Sequence, residues 1–152
     1  MSDEARWLND AELETWLAVI GMVTRLPNEL DQQLRRDAHM SHFEYGVLAA
    51  LEHAEDATRR MSDLAYVCHG SLSRLSHVVR RLEEQNLIER FACPDDGRST
   101  LARLTDDGRR RLAKAAPGHV ELVRSLIFDE LSEEEAKEYG RLTRRILDRI
   151  TK

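Results

Sequence analysis

Over about residues 10–36 apolar side chains recur at helical spacing, with Leu13, Trp16, Leu17, Ile20, Val23, Leu30 and Leu34 on one stripe. This predicts a long amphipathic helix with a kink at Pro27, whose ring removes a backbone donor and clashes with the preceding turn. Ser41-His42-Phe43-Glu44 is a capping box that opens a second helix through Val47, Leu48 and Leu51, ending near His53. A short helix over 63–69, opened by Ser62, carries Leu64, Ala65 and Cys68 on one face and stops at Gly70-Ser71. Ser71 is the natural N-cap of the next helix, about 72–85, where Leu72, Leu75, Val78, Val79 and Leu82 form a single apolar stripe. A short helix, a tight turn and a longer helix make a helix-turn-helix pattern.

The period then changes. Residues 87–92 and 100–104 alternate in side-chain character around the turn cluster Pro94-Asp95-Asp96-Gly97, which predicts a β-hairpin. Thr105 is expected to cap a helix carrying Leu112, Ala116, Val120, Val123 and Ile127, with a bend or break at Pro117-Gly118. Ser132 and Glu135 form a second capping box, and the last helix presents Ala136, Tyr139, Leu142, Ile146 and Ile150. The fold class is therefore mainly α: one winged helix-turn-helix domain over 1–152, with a two-stranded β-wing and long terminal helices. A composition of 34% charged residues with only seven glycines and three prolines agrees with helix dominance.

A small central module cannot cover the apolar stripes of both terminal helices, so a second copy is the economical cover. That assigns a dimerisation region to about 8–36 and 117–151, and a DNA-binding region to about 41–112. The competing arrangement is a monomer whose end helices fold back on their own core. Charge supports the division. Residues 59–114 hold 12 Lys+Arg and 8 Asp+Glu, a balance of +4, which leaves −9 for the rest of a chain whose total is −5. Phosphate neutralisation depends on the local field, so a basic middle outweighs an acidic total.

The polar face of the 72–85 helix centres on Ser73, His77 and Arg80, flanked by Arg74, Ser76 and Arg81, with Ser71 at its start. Hydroxyls near a helix N-terminus permit close approach to base edges, and arginine grips guanine or phosphate. The same residues also suit a plain solvated face; the hairpin decides, because a helix-turn-helix followed by a two-stranded tip with a protruding arginine is the layout of a winged helix. Arg98 at that tip can enter a narrow minor groove beside Ser99. Two acids at the tip must be held: Asp95 is expected to accept backbone donors in the turn, and Asp96 to pair with an arginine and aim it.

Asp96-Gly97-Arg98, Leu104-Thr105 and Gly108, preceded by Leu82-Glu83 and Asn86-Leu87-Ile88-Glu89-Arg90, resemble the wing signature and recognition-helix exit of the multiple-antibiotic-resistance regulator (MarR) family. Ala102 stands where that family usually has leucine or valine, and Asn86 where glycine is commoner. The resemblance implies a homodimeric regulator, usually a repressor, on a pseudo-palindromic operator in double-stranded DNA. It also implies release by a small, often aromatic effector bound between the dimerisation and DNA-binding regions, for which Trp16, His39, His42 and Phe43 are candidates.

Other chemistries are disfavoured. His39 and His42 with Glu44 do not make a compact ligand set, so no metal and no cofactor are expected. Cys68 reads as core and Cys93 as exposed, with nothing cationic close in sequence to activate Cys93. No phosphate loop, nucleophile elbow or zinc-protease motif points to an enzyme. The serious rival is an antirepressor-like winged helix that contacts protein, but it should replace Arg98 and the basic face with apolar groups. The absence of an apolar leader or span sets the expectation of a cytoplasmic protein without membrane contact.

Overall fold

The computed structural model describes residues 5–152. Helix α1 (Asp10–Ala38) opens with a capping box that the periodicity does not show: Asn9 accepts from the Glu12 N–H, and the Glu12 carboxylate accepts from the Asn9 N–H. The helix continues without interruption through Pro27 and closes on His39, whose left-handed backbone (φ 54°) forms the C-cap. The predicted Ser41–Glu44 box opens α2 (His42–Glu52).

Strand β1 (Thr58–Arg60) leads into α3 (Met61–Val67), which starts on Arg60 without a side-chain cap, ahead of the predicted Ser62. Helix α4 (Leu72–Glu84) follows, then β2 (Ile88–Ala92) and β3 (Thr100–Leu104). The sheet has three strands in the order β1-β3-β2, all antiparallel, with Arg90 opposite Ala102 and Arg60 opposite Leu101. The hairpin is thus joined by a third strand. In β3, Ala102 and Leu104 are buried while Arg103 between them is exposed, the alternation expected when one sheet face packs on helices. Helix α5 (Asp106–Leu126) runs on through Pro117 and Gly118, so the break expected there does not occur. Helix α6 (Glu133–Ile150) starts at the predicted Ser132 box.

The core lies in the central module. Leu34 of α1, Val47, Leu48 and Leu51 of α2, Leu64 of α3, Leu75, Val79 and Leu82 of α4 and Ile88 of β2 are all essentially excluded from solvent. The ends of the chain contrast with this: α1 buries only Leu30, Gln33 and Leu34, and α6 buries nothing. Leu13, Trp16, Leu17, Ile20 and Val23 on α1 and Ile146, Leu147 and Ile150 on α6 stay exposed. No helix among the described residues is long and apolar enough to cross a membrane.

Candidate nucleic-acid interface

Four inward residues, Leu75, Val78, Val79 and Leu82, fix the rotation of α4 on the core. At about 100° per residue, that rotation leaves Ser73, His77 and Arg80 exposed on the opposite face, with Ser76 half-buried beside them and Arg74 and Arg81 exposed at the flanks. Ser71 has a structural duty, because its Oγ accepts from the Arg74 N–H at 3.1 Å and caps the helix. Leu72 departs from the predicted stripe. As the first residue of α4 it projects beyond the core, 54% exposed, into a groove shared with the wing.

Two ionic clasps fix the hairpin, one to α4 and one to β1. The Arg90 guanidinium meets the Glu83 carboxylate at 3.0 Å while the Arg90 N–H donates to the same group at 3.1 Å, so β2 is tied to the last turn of α4. Hydrogen bonding from Arg90 holds the Glu83 carboxyl below the usual carboxylate range. At the tip, Asp96 rather than Asp95 shapes the turn: it accepts from the Ser99 hydroxyl at 2.9 Å and from the Arg98 N–H at 3.1 Å. These bonds, the Ser99 hydroxyl first, lower the Asp96 carboxyl. The arginine that Asp96 faces is not a neighbour in sequence. Arg60 of β1 donates to Ser99 Oγ at 3.1 Å and stands 3.9 Å from Asp96, whereas the exposed Arg98 guanidinium forms no ion pair among the described residues. Gly97 adopts no positive φ, and nothing lies within 4 Å of where a Cβ would stand, so the turn itself does not require glycine.

Cys93 was expected to be exposed and is instead buried, 7% accessible, with the Arg60 guanidinium 4.0 Å from its sulfur. This contact comes from a residue far away in sequence, on a strand with no apolar signature. Arg60→Ala is expected to loosen the wing and weaken DNA binding about fivefold, the scale of one ordinary intramolecular hydrogen bond, about 1 kcal/mol. Amide hydrogen exchange at Arg98 and Ser99 should quicken in this variant while the core remains protected; unchanged exchange would rule out the clasp.

Between α4 and the wing lies a groove of about 340 Å³ edged by Arg60, Arg90, Arg98, Ser76, Ser99 and Leu72. A shallower depression adjoins it, formed by Ser73, Ser76, His77, Arg80 and Arg90. Among the described residues Arg80, Arg81 and Arg98 form no ion pair, so their charge is available to a ligand without breaking an internal contact. The arrangement is a convex cationic ridge, α4, beside a projecting cationic tip.

A separate cleft of about 790 Å³ opens between α1, α2 and the helix-turn-helix, bordered by Asp31 and Arg35 of α1, His42 and Phe43 of α2, and Arg74 and Arg81 of α4. Of the four candidates for an effector site, His42 and Phe43 line this cleft; Trp16 and His39 do not, Trp16 lying on the exposed stripe of α1 and His39 serving as a cap. The Phe43 ring packs so closely on Gly70 that a Cβ there would stand 2.8 Å from two ring carbons, and the Arg74 guanidinium lies 4.0 Å over its centroid. Phe43 therefore links the cleft to the first turn of α4. Beside His42 but outside the cleft lining, His119 packs on Tyr45 at 4.2 Å and on His42 at 5.9 Å, with its Nδ1 buried and without a hydrogen-bond partner among the described residues. Burial pushes both imidazoles below their ordinary range, and each being neutral suits the crowding. Periodicity had no means of finding His119, because its partners Tyr45 and His42 lie on α2, more than seventy residues away in sequence. The Glu44 carboxylate is engaged in the α2 cap, accepting from the Ser41 N–H at 3.2 Å.

Comparison with known proteins gives this geometry its context. The model of the MarR family matches residues 40–100, which run from α2 to the start of β3. Sco3205 from Streptomyces coelicolor, a MarR family transcriptional regulator solved in complex with DNA, superposes with a TM-score of 0.91 at 41% identity, over 97% of this chain and 92% of that one. AbsC, a MarR family transcriptional regulator from the same organism, gives 0.89 at 34% identity over 96% and 98%. The HTH-type transcriptional regulator YxaD of Bacillus subtilis is 30% identical over 77% of this chain and 80% of its own length. With a matching core module, wing and terminal helices along nearly its whole length, the chain belongs to the MarR family of transcriptional regulators.

Proposed function

We propose that the chain acts as a homodimeric repressor that binds a pseudo-palindromic operator and is released by a small-molecule effector. The observation that carries this reading is the cationic surface shared by α4 and the wing, in which Arg80, Arg81 and Arg98 form no ion pair among the described residues. In it, Ser73, Arg74, Ser76, His77, Arg80 and Arg81 meet the major groove, with Ser71 at the helix start, and Arg98 with Ser99 meets the adjacent minor groove. Asp96 contributes by holding the tip rather than by touching DNA. The likeness to Sco3205, solved with DNA, supports the same reading. Residues 8–36 and 117–151 form the dimerisation region, because a second copy is the economical cover for the exposed apolar faces of α1 and α6, and 41–112 form the DNA-binding region. Dimerisation would place the two α4 helices about one DNA turn, roughly 34 Å, apart. The effector reading rests on the cleft beside Phe43 and Arg74, because a ligand there shares a wall with the recognition helix.

The test is binding of the purified protein to the duplex upstream of its own gene, measured by fluorescence anisotropy across a salt series. Tight, salt-sensitive binding is expected. Arg98→Ala should weaken it by about 1–3 kcal/mol and lower the salt slope by about one, with the dimer intact in sedimentation. No preference for that duplex over random DNA at low salt would transfer the reading to a protein-contact module.

A further inference from the structure

The groove between α4 and the wing is lined at its surface by hydroxyls and guanidinia, with one exception: Leu72. The other apolar side chain there, Met61, is buried in the core at 8% exposure, whereas Leu72 stands 54% exposed at the first turn of α4, next to Ser76 and facing Arg98. An isolated surface leucine is ordinary, but this one occupies the end of the recognition helix that comes nearest to base edges in helix-turn-helix docking. The surrounding arginines argue against an apolar protein partner and match a polyanion.

Leucine has nothing to offer a donor or acceptor. Set against the N7, O6, N4 or N6 groups of the major groove, it would strip their water and replace no hydrogen bond. The major groove carries one group that gains from such contact, the C5 methyl of thymine. We infer that Leu72 reads the 5-methyl group of a thymine in each half-site and is a specificity-determining residue of the interface. The inference rests on the placement of α4 in the major groove proposed above. Ser73 and Ser76 then supply hydrogen bonds to neighbouring bases, so the start of α4 combines one apolar contact with polar readout from the residues that follow.

Selection from a random-sequence duplex library with the full chain tests this directly. The wild type should enrich a half-site with a thymine at one position that Leu72→Ala leaves unselected, the flanking preferences being retained. Replacing that thymine by deoxyuridine, which removes only the methyl, should cost the wild type about fourfold in affinity and Leu72→Ala nothing. Identical enrichment by both proteins, or full wild-type affinity for the deoxyuridine duplex, would overturn the inference while leaving α4 in the groove. If the wild type enriches no sequence, the DNA reading fails and this inference fails with it.

Discussion

Gly108→Ala is expected to destabilise the protein by about 3 kcal/mol, the upper end of the usual cost of overpacking. Gly108 lies in the first turn of α5, where its N–H donates to the Thr105 hydroxyl at 2.9 Å. A Cβ there would strike the Leu87 carbonyl oxygen and come within 2.6 Å of Leu104 Cδ1. Neither neighbour is free to yield. The Leu87 carbonyl already accepts from the Thr105 N–H at 3.1 Å, and Leu104 is buried where β3 ends. The added methyl must therefore push α5 off the corner between α4 and β2, the corner that sets the base of the wing. Urea unfolding measures the loss directly. Gly46→Ala in α2 serves as the contrast: nothing lies within 4 Å of the position, so replacing a helical glycine should raise stability by about 0.5–1 kcal/mol. A Gly108→Ala protein as stable as the parent would show that α5 can relocate without cost.

Gly108 was visible in the sequence only as part of a family-like pattern, and its reason lies in a close approach that no periodicity encodes. The same holds for Asn86. It stands where relatives favour glycine because the backbone there is left-handed (φ 61°), which asparagine tolerates, and its side chain donates to Asp107 at 2.8 Å. What was legible is local. The α2 and α6 capping boxes, the inward stripe of α4 and the hairpin turn each follow from residues within a few positions of one another. What was not legible depends on distant partners. β1 is three residues, Thr-Arg-Arg, too short and too polar to announce a strand. Cys93 is buried with an arginine from that strand at its sulfur, and Leu72 is exposed because the core ends one turn before the helical stripe does. Pro117 failed to break α5 because packing of α5 along α1 outweighs the local penalty of one lost hydrogen bond.

Ile146→Asp should convert the protein to a monomer at micromolar concentration and abolish tight operator binding. Within one chain Ile146 is 58% exposed and no residue of α6 is fully buried, so the substitution takes little from the folded protomer. Its circular dichroism should be that of the parent. The effect arises only on association, when an unpaired carboxylate must be desolvated against the apolar face formed by Leu147, Ile150 and the exposed stripe of α1. In a two-fold interface the change occurs twice, so a penalty of several kcal/mol per site is doubled. Loss of DNA binding then follows without any change in the cationic surface, because two half-site contacts held together by the dimer become two separate weak ones. Arg98→Ala supplies the opposite signature, an intact dimer with weakened binding, so the two variants separate assembly from contact. A variant with Asp at 146 that still sediments as a dimer would show that α6 packs elsewhere and that another surface, such as the α1 stripe around Trp16 and Ile20, holds the two copies together.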